Sequence, residues 1–597
     1  MFCGTIWPRS FARPPLIDCA DSYFGDASAR KLADFFWTKG LAALKEEDRR
    51  EVWYSDWLAY QAEHGLYASV LSPRQYSTKG NQFDLLKLTR FLEVFAYFSP
   101  SHGYSLQVSF LGLFSILMGS NEDLKHEAVA AIEAGGLAAL GVSEKEHGSD
   151  LLANEFSVTQ VSEGSANFLA NGGKYYIGNS NCAAIVSILA KKLRPEDAAS
   201  PARQRRSPFL LMALRPQKSL GYRNIRKIRT LGVRAAYVGE FQVTDHPTPA
   251  TDFIAEGRTA WDAVFGTVTL GKFFLGFGSI GMCEHAAEEV IAHLRRRVLY
   301  RKSVLEMSHI HLAAAQAFAR LTAMKLYAYR ALDYVHAAGE TDRRYVLFCA
   351  VQKARVGAEG VKMMTQLSDC IGAKGLESDT FFETALRDTQ LIPGLEGSTH
   401  INLRLTTQFV NQYFQLRPPQ AAVDPPKLKS LARGDAPSRE NAYLMRAAGG
   451  ALTDIVFDHF LDAYRPLKAI PNIRRFARQA QAFARLVRAR AKNPIIPVDG
   501  EALDLRVTQS LGQCMATIAY AQLIAENAVI FSVPVPIVSA IFHLLVADLS
   551  AAGATLAALP ELEKPMRALA RQLIAVPRTP ASDWDAVLDR FNSMEGG

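Results

Sequence analysis

The sequence predicts an α+β protein that is mostly α, on three observations. Apolar residues recur at three- and four-residue spacing over most of the chain, as in LLKLTRFLEVFAYF, the mark of helices packed on one face. Between residues 139 and 250 this texture gives way to short runs rich in β-branched and aromatic residues. Helical patterning then returns and, beyond a Pro-rich stretch, continues toward the end. A chain of 597 residues exceeds one ordinary core. Four domains are therefore expected: helical 1–138, β 139–250, helical 251–418, and an additional helical domain 430–597.

The elements follow in order. NEDLKHEAVAAIEAGG reads as a helix stopped by its glycine pair. NFLANGGKYYIGN reads as a strand, an Asn-Gly turn and a second strand. AAIVSILAKK, PFLLMALRP and VGEFQVTD are further strands, and KLRPEDAASPARQRRS has loop composition. EHAAEEVIAHLRRRV, HLAAAQAFARLTAMKLYAYRALDYV and YVLFCAVQKARVGAEGVKMMTQL are helical, and RRVLYRKSVLEMS at 296–308 is placed on a helix as well. RPPQAAVDPPK at 417–427 is a linker. The longest apolar stretches, YSLQVSFLGLFSILMG and VIFSVPVPIVSAIFHLLVA, fall short of a membrane span or are broken by Pro534 and Pro536; both read as buried helices. No internal repeat of fixed period occurs.

Composition excludes several classes. With 49% hydrophobic and 21% charged residues the chain is of globular type, and a net charge of +8 suits an anionic ligand such as a phosphorylated cofactor without demanding nucleic acid. Seven scattered cysteines without C-x-x-C spacing indicate reduced thiols and no zinc site. The N-terminal MFCGTIWPRSFARPP lacks the apolar run of a secretory signal; its arginines leave a transit peptide open, and a cytoplasmic protein is expected. GFGSIG at 276–281 matches G-x-G-x-x-G only literally, because its surroundings are helical and RRRVLYRK follows where an acid is needed; close helix packing is the expectation. His309 and His311 are two apart and cannot face one metal from a helix, and neither H-E-x-x-H nor G-x-S-x-G occurs. The helix at 472–492 carries six arginines and Lys492 but no acid, over apolar positions Ile473, Phe476, Phe483, Leu486 and Val487. It reads as a solvated face over a packed one, with nucleic acid or anionic lipid as the alternative ligands.

Taken alone, Glu396 in PGLEGSTH is a loop acid. It stands, however, at the end of an ordered series: LGVSEKEHGSD (140–150), NGGKYYIGN (171–179), RRVLYRK (296–302), GAKG (372–375), Arg387-Asp388 and EGSTHIN (396–402). In order and spacing these resemble the acyl-CoA dehydrogenase and acyl-CoA oxidase superfamily of flavoproteins. Ser143 to Asp150 match T-E-P-G-A-G-S-D, with Lys145, Glu146 and His147 replacing P-G-A. Asn171 to Asn179 match N-G-x-K-x-W-I-T-N, with Tyr176 for Trp and Gly178 for Thr. Arg297 to Arg301 match R-x-x-F-G, and Gly372 to Gly375 match G-G-x-G. The resemblance covers about residues 30–415. The tail beyond 430 resembles the extra domain of very-long-chain dehydrogenases and oxidases.

The resemblance implies a helical N-terminal domain, a β-barrel-like middle domain, a C-terminal four-helix bundle and bound FAD. It implies that Glu396 takes the α-proton of an acyl thioester while flavin N5 accepts the β-hydride, with Gly397 leaving room for the substrate. Ser143 is expected at the isoalloxazine edge, Ser149 at the pyrophosphate and Tyr176 over the flavin face. Gly178 lacks the hydroxyl that the family threonine offers the flavin. Arg297 and Tyr300 are expected to reach the adenosine half from the neighbouring subunit of a homodimer. Gly372 and Gly375 cross that interface, with Asp369 where the family has Gln. Ser398 and His400 complete the expected cofactor contacts. The expected partners are an acyl-CoA or a carrier-bound acyl thioester, and an electron-transfer flavoprotein. An oxidase using O2 and a catalytically idle, DNA-associated relative are the alternatives.

Overall fold

A computed structural model describes residues 27–415, 430–435, 438–447, 452–492 and 505–592. They fall into two compact units, one of 27–274 with 438–449, the other of 275–437 with 450–597. The 417–427 linker, the N-terminal arginine-bearing segment, Cys3 and Cys19 lie outside the described residues.

In the first unit, helix Leu85–Phe98 starts where the Asp84 carboxylate accepts from the Lys87 N–H. It stops at Ser99, which is extended because Pro100 follows, and Pro100 opens the next helix, Pro100–Leu117. That second helix is buried along nearly its whole length, which is why it shows no polar face. Helix Glu122–Glu133 is capped by Asn121 and ends at Gly135, whose φ of 86° is left-handed.

The β region forms one eight-stranded sheet: β1 (Leu137–Gly141), β2 (Ser157–Gln160), β3 (Asn167–Gly178), β4 (Ala183–Leu193), β5 (Phe209–Leu214), β6 (Tyr222–Lys227), β7 (Val238–Pro249) and β8 (Phe253–Glu256). The order is β6-β7-β3-β2-β4-β5-β8, with β1 also pairing β4. The sheet is mixed: β1 and β2 run parallel to β4, and the other pairs are antiparallel. Pro100–Leu117 lies flush on β1, since a Cβ at Gly112 would stand 2.5 Å from the Ala139 nitrogen. Asn171-Gly172, expected as a turn, instead lies within the continuous strand β3. The register against β7 shifts between Ala170 and Gly172, and glycine is needed because φ is 143° and Phe156 occupies the Cβ position. A short helix, Pro201–Arg206, interrupts the expected loop after β4.

GFGSIG lies inside the 40-residue helix Gly257–Arg296, where a Cβ at Gly276 would meet the Gln352 side chain; close packing is what this glycine serves. The helix expected through 296–308 ends instead at Arg296. A hairpin of β9 (Val298–Leu299) and β10 (Lys302–Ser303) follows, turned by Tyr300 and Arg301 at φ 51° and 66°. Two consecutive left-handed residues make the tight turn that suits a twisted hairpin.

In the second unit, Ser308–His336, the π-helical turn Gln352–Val356, Gly357–Ile371 and Val535–Ala558 share a buried ionic cluster. Asp548 and Glu359 accept from Arg320, Arg355 and Lys362. Pro534 and Pro536 do break the apolar stretch: helix Leu505–Ile530 ends before them, and Pro534 caps the next helix, Val535–Ala558, with Pro536 in its first turn. That helix and Gly257–Arg296 are long and apolar enough to cross a membrane, but 61% and 78% of their most apolar windows are buried within the protein, as in core helices. On helix Pro471–Lys492 the five apolar positions are buried. Several arginines serve neighbours: Arg474 donates to the Lys468 and Ala469 carbonyls, Arg485 to Gln572 and Arg488 to the Phe414 carbonyl.

Candidate functional site

In the first unit the 140–150 and 171–179 motifs are bolted together by charge. The buried Glu144 carboxylate accepts from the Glu155 and Phe156 N–H groups at 2.8 and 2.9 Å, and from Lys174 Nζ at 2.8 Å. Lys174 also donates to the Val142 carbonyl at 3.0 Å. Burial pushes the Lys174 ammonium down to about 8, with Glu144 opposing the fall. The Ser143 carbonyl accepts from the Tyr175 N–H at 2.9 Å, so half-buried Ser143 sits beside the Tyr175–Tyr176 pair. Ser149 is exposed, as are Lys145 and Glu146, while His147 Nε2 pairs with Glu155 at 3.2 Å.

Tyr176 occupies a second bulge of β3, at φ 63°, and is 61% exposed. A strained backbone that presents an aromatic ring to solvent is a costly arrangement for packing alone. Two residues on, Gly178 has no left-handed φ; its reason is space. A Cβ there would stand 2.6 Å from Val108 Cγ2 and 2.7 Å from Tyr104 Cε1. Asn179, at φ 58°, is fully buried and anchors the strand end: its amide donates to the Ser105 and Ala138 carbonyls at 3.0 and 3.1 Å.

In the second unit, Arg297 and Tyr300 lie in the β9–β10 hairpin, with Tyr300 91% exposed at its tip. The 372–375 loop is brought to the same region. His293 is pushed down by burial and by Arg297, Arg296 and Lys374, with Glu377 opposing, so hairpin base and loop share one cationic neighbourhood. Gly372, at φ 64°, has nothing within 4 Å of its Cβ position, whereas a Cβ at Gly375 would meet Ile371 and Phe382. Asp369 is exposed.

Glu396 lies between helix Phe381–Thr389 and helix Thr399–Thr407. Its φ is 48° and that of Gly397 is 87°, two successive left-handed residues immediately before a helix N-terminus. The demand for glycine at 397 is conformational: the nearest atom to its Cβ position is Asn402 Nδ2 at an ordinary 3.5 Å. The loop is clamped at both ends. Lys353, buried on a π-helical turn (Gln352–Val356), donates to the Ile392 carbonyl at 2.5 Å. Asn402, fully buried, donates to the Gly397 and Ser398 carbonyls at 2.9 and 3.0 Å. Glu396 is half-buried, with its Oε2 shut off from solvent. Ser398 caps the helix through its backbone, while His400 is exposed and faces Gln509, whose amide donates to the His400 carbonyl at 2.9 Å. Arg387 pairs with Glu383 one turn back, and Asp388 is buried.

Glu144, Lys174, Asn179 and Asn402 were visible only as motif letters. Their bonds connect residues up to 74 positions apart. Lys353 and Tyr104 carry no motif signal. Among the described residues, no cluster of His, Cys, Asp and Glu could hold a metal ion.

Residues 261–410 match the family model of the acyl-CoA dehydrogenase C-terminal domain. The chain is 22% identical over 340 residues to cyclohex-1-ene-1-carbonyl-CoA dehydrogenase of Syntrophus aciditrophicus, covering 57% of this chain and 78% of that one. It is 23% identical over 338 residues to cyclohexane-1-carbonyl-CoA dehydrogenase of Geobacter metallireducens, covering 56% and 84%. In fold it resembles an acyl-CoA dehydrogenase complexed with FAD from Bacillus anthracis, with a TM-score of 0.72 at 17% identity over 96% of this chain and 95% of that one. Butyryl-CoA dehydrogenase from Megasphaera elsdenii gives a TM-score of 0.55 at 18% identity over 64% and 96%. The likeness to the Bacillus anthracis structure, at 96% of this chain, extends over the helical tail.

Proposed function

We propose that this chain, a member of the acyl-CoA dehydrogenase superfamily, oxidises an acyl-CoA to the trans-2-enoyl thioester with Glu396 as the base. The observation that carries the reading is the Glu396 loop: a lone acid held in a left-handed conformation, clamped by Lys353 and Asn402, with one oxygen withdrawn from water. Such strain is unnecessary for a solvated loop and suits a side chain that must be aimed.

The residues present fit FAD. Exposed Tyr176 offers a ring face on a strained bulge, and the Cβ position of Gly372 opens onto unfilled space. Exposed Arg297 supplies positive charge for a phosphorylated group, while Lys374 beside it is paired with Glu377 and Asp379. Ser143, Ser149, Tyr176 and Gly178 would hold the flavin and pyrophosphate. The 372–375 loop, Arg297 and Tyr300 would serve the adenosine half, from the partner subunit of a homodimer. FAD, when bound, supplies the acceptor for the hydride leaving Cβ.

The chain does the rest. The Glu396 carboxylate takes the α-proton: a Cα–H bond breaks, an O–H bond forms, and the Cα electron pair becomes part of the new double bond as hydride departs from Cβ. The backbone N–H of Glu396 polarises the thioester carbonyl, making the α-proton acidic enough to transfer. Gly397 keeps the adjoining backbone free of a side chain where the substrate approaches. The electrons then pass to an electron-transfer flavoprotein.

The test is anaerobic mixing of the flavin-loaded protein with a panel of palmitoyl-, butyryl- and cyclohexane-1-carbonyl-CoA. At least one is expected to bleach the flavin. Loss of colour with none of a full acyl-CoA range refutes the reading, and rapid peroxide formation in air assigns an oxidase instead.

A further inference from the structure

We infer that the Tyr104 hydroxyl stands in for the side chain missing at position 178 and makes the hydrogen bond to the flavin edge. This rests on the flavin reading above. Gly178 is glycine because Tyr104 and Val108 already fill the space: its Cβ position lies 2.6 Å from Val108 Cγ2, 2.7 Å from Tyr104 Cε1 and 3.1 Å from the Tyr104 oxygen. No left-handed φ requires glycine here, so the two positions exchange volume: a ring at 104 excludes a side chain at 178. The exchange also conserves chemistry. A threonine would carry its hydroxyl one bond from that Cβ, and the phenol oxygen stands 3.1 Å from the same Cβ position, so a hydroxyl is kept in this neighbourhood.

Tyr104 is well placed to hold a fixed hydroxyl. It lies on the buried helix Pro100–Leu117 between Gly103, whose Cβ position is 2.8 Å from Phe95, and fully buried Ser105. Its ring packs against the hydrophobic core of the sheet, yet the residue is only half-buried. The neighbouring helix residue Ser105 also gives its carbonyl to Asn179, which fixes strand end and helix to each other. Tyr176, Gly178 and Tyr104 therefore belong to one rigid patch of one unit.

The test uses full-length holoprotein, with flavin release on dilution followed by flavin fluorescence, and the visible absorption bands recorded before dilution. Tyr104→Phe keeps the ring and removes only the hydroxyl. It is expected to release FAD about three- to tenfold more readily, as for one hydrogen bond lost, with shifted flavin bands. Tyr104→Ala frees the space at 178, and the double variant Tyr104→Ala/Gly178→Thr is expected to recover retention and bands toward wild type. Retention and bands in Tyr104→Phe equal to wild type overturn the inference, as does a double variant no better than Tyr104→Ala. A wild-type protein that takes up no FAD overturns the flavin reading itself, and this inference with it.

Discussion

Asn402→Ala tests the clamp on the proposed base, Glu396. In the wild-type protein the Asn402 amide, fully buried, donates to the Gly397 carbonyl at 2.9 Å and the Ser398 carbonyl at 3.0 Å. The Ser398 carbonyl keeps its bond from the Asn402 N–H at 3.1 Å in the variant, so helix Thr399–Thr407 should persist. What is lost is two neutral hydrogen bonds at about 1 kcal/mol each, or about 2 kcal/mol for the loop arrangement. Since Glu396 and Gly397 already sit in left-handed conformations, that loss falls on a strained segment. A loss of about 2 kcal/mol shifts the equilibrium against the aimed arrangement roughly thirtyfold, and the rate of flavin bleaching should fall by up to that factor. Asn402→Asp should be worse, because a carboxylate then faces two carbonyl oxygens. The assay is stopped-flow bleaching under anaerobic conditions at saturating acyl-CoA, with FAD content and thermal melting measured alongside. Wild-type bleaching rates in both variants refute the clamp.

Three further outcomes follow from other parts of the molecule. Glu144→Leu should destabilise the first unit by about 3–5 kcal/mol, because it strands the buried Lys174 cation and orphans two N–H groups; thermal melting reads this, and Glu144→Leu/Lys174→Met should recover part of the loss. Burial alone would raise the Glu133 carboxyl, yet hydrogen bonds from Ser77, Asn81 and Thr78 hold it down to about 2. Its stabilisation is therefore complete above the ordinary value of 4.5 and is lost as pH falls toward 2, about 2 kcal/mol after allowing for screening by water; acid unfolding of Glu133→Gln should lack that component. Tyr300→Asn/Arg301→Gly supplies the residues that a left-handed two-residue turn prefers and should stabilise the hairpin by about 1 kcal/mol, while weakening FAD retention if Tyr300 touches the adenosine half.

Helical periodicity and strand composition were legible because each is a local signal, and the sheet and the helices around it appear where those signals lie. The errors share one cause. Asn171-Gly172 and RRVLYRK were read by local preference, yet pairing with β7 carries β3 straight through the first, and the left-handed pair at 300–301 turns the second into a hairpin. Pro534 and Pro536 were legible as a break, and they separate two helices because a proline is tolerated at a helix start but not within one. At the candidate site, order and spacing singled out Glu396 as the proposed base. What holds the loop was not legible: Lys353 reaches the Ile392 carbonyl, four residues before Glu396, from a π-turn 39 residues earlier. The Gly178 substitution was visible, but its partner Tyr104 lies on another element, and only packing joins them.

The most direct measurement is anaerobic bleaching by Glu396→Gln, loaded with FAD and mixed with the acyl-CoA that bleaches the wild type fastest. The amide keeps the shape and cannot accept the α-proton. Full FAD content, an unchanged melting temperature and bleaching slowed by at least about a thousandfold are expected if Glu396 is the base. Bleaching at the wild-type rate by the FAD-loaded variant would contradict it, and another residue would then have to take the proton.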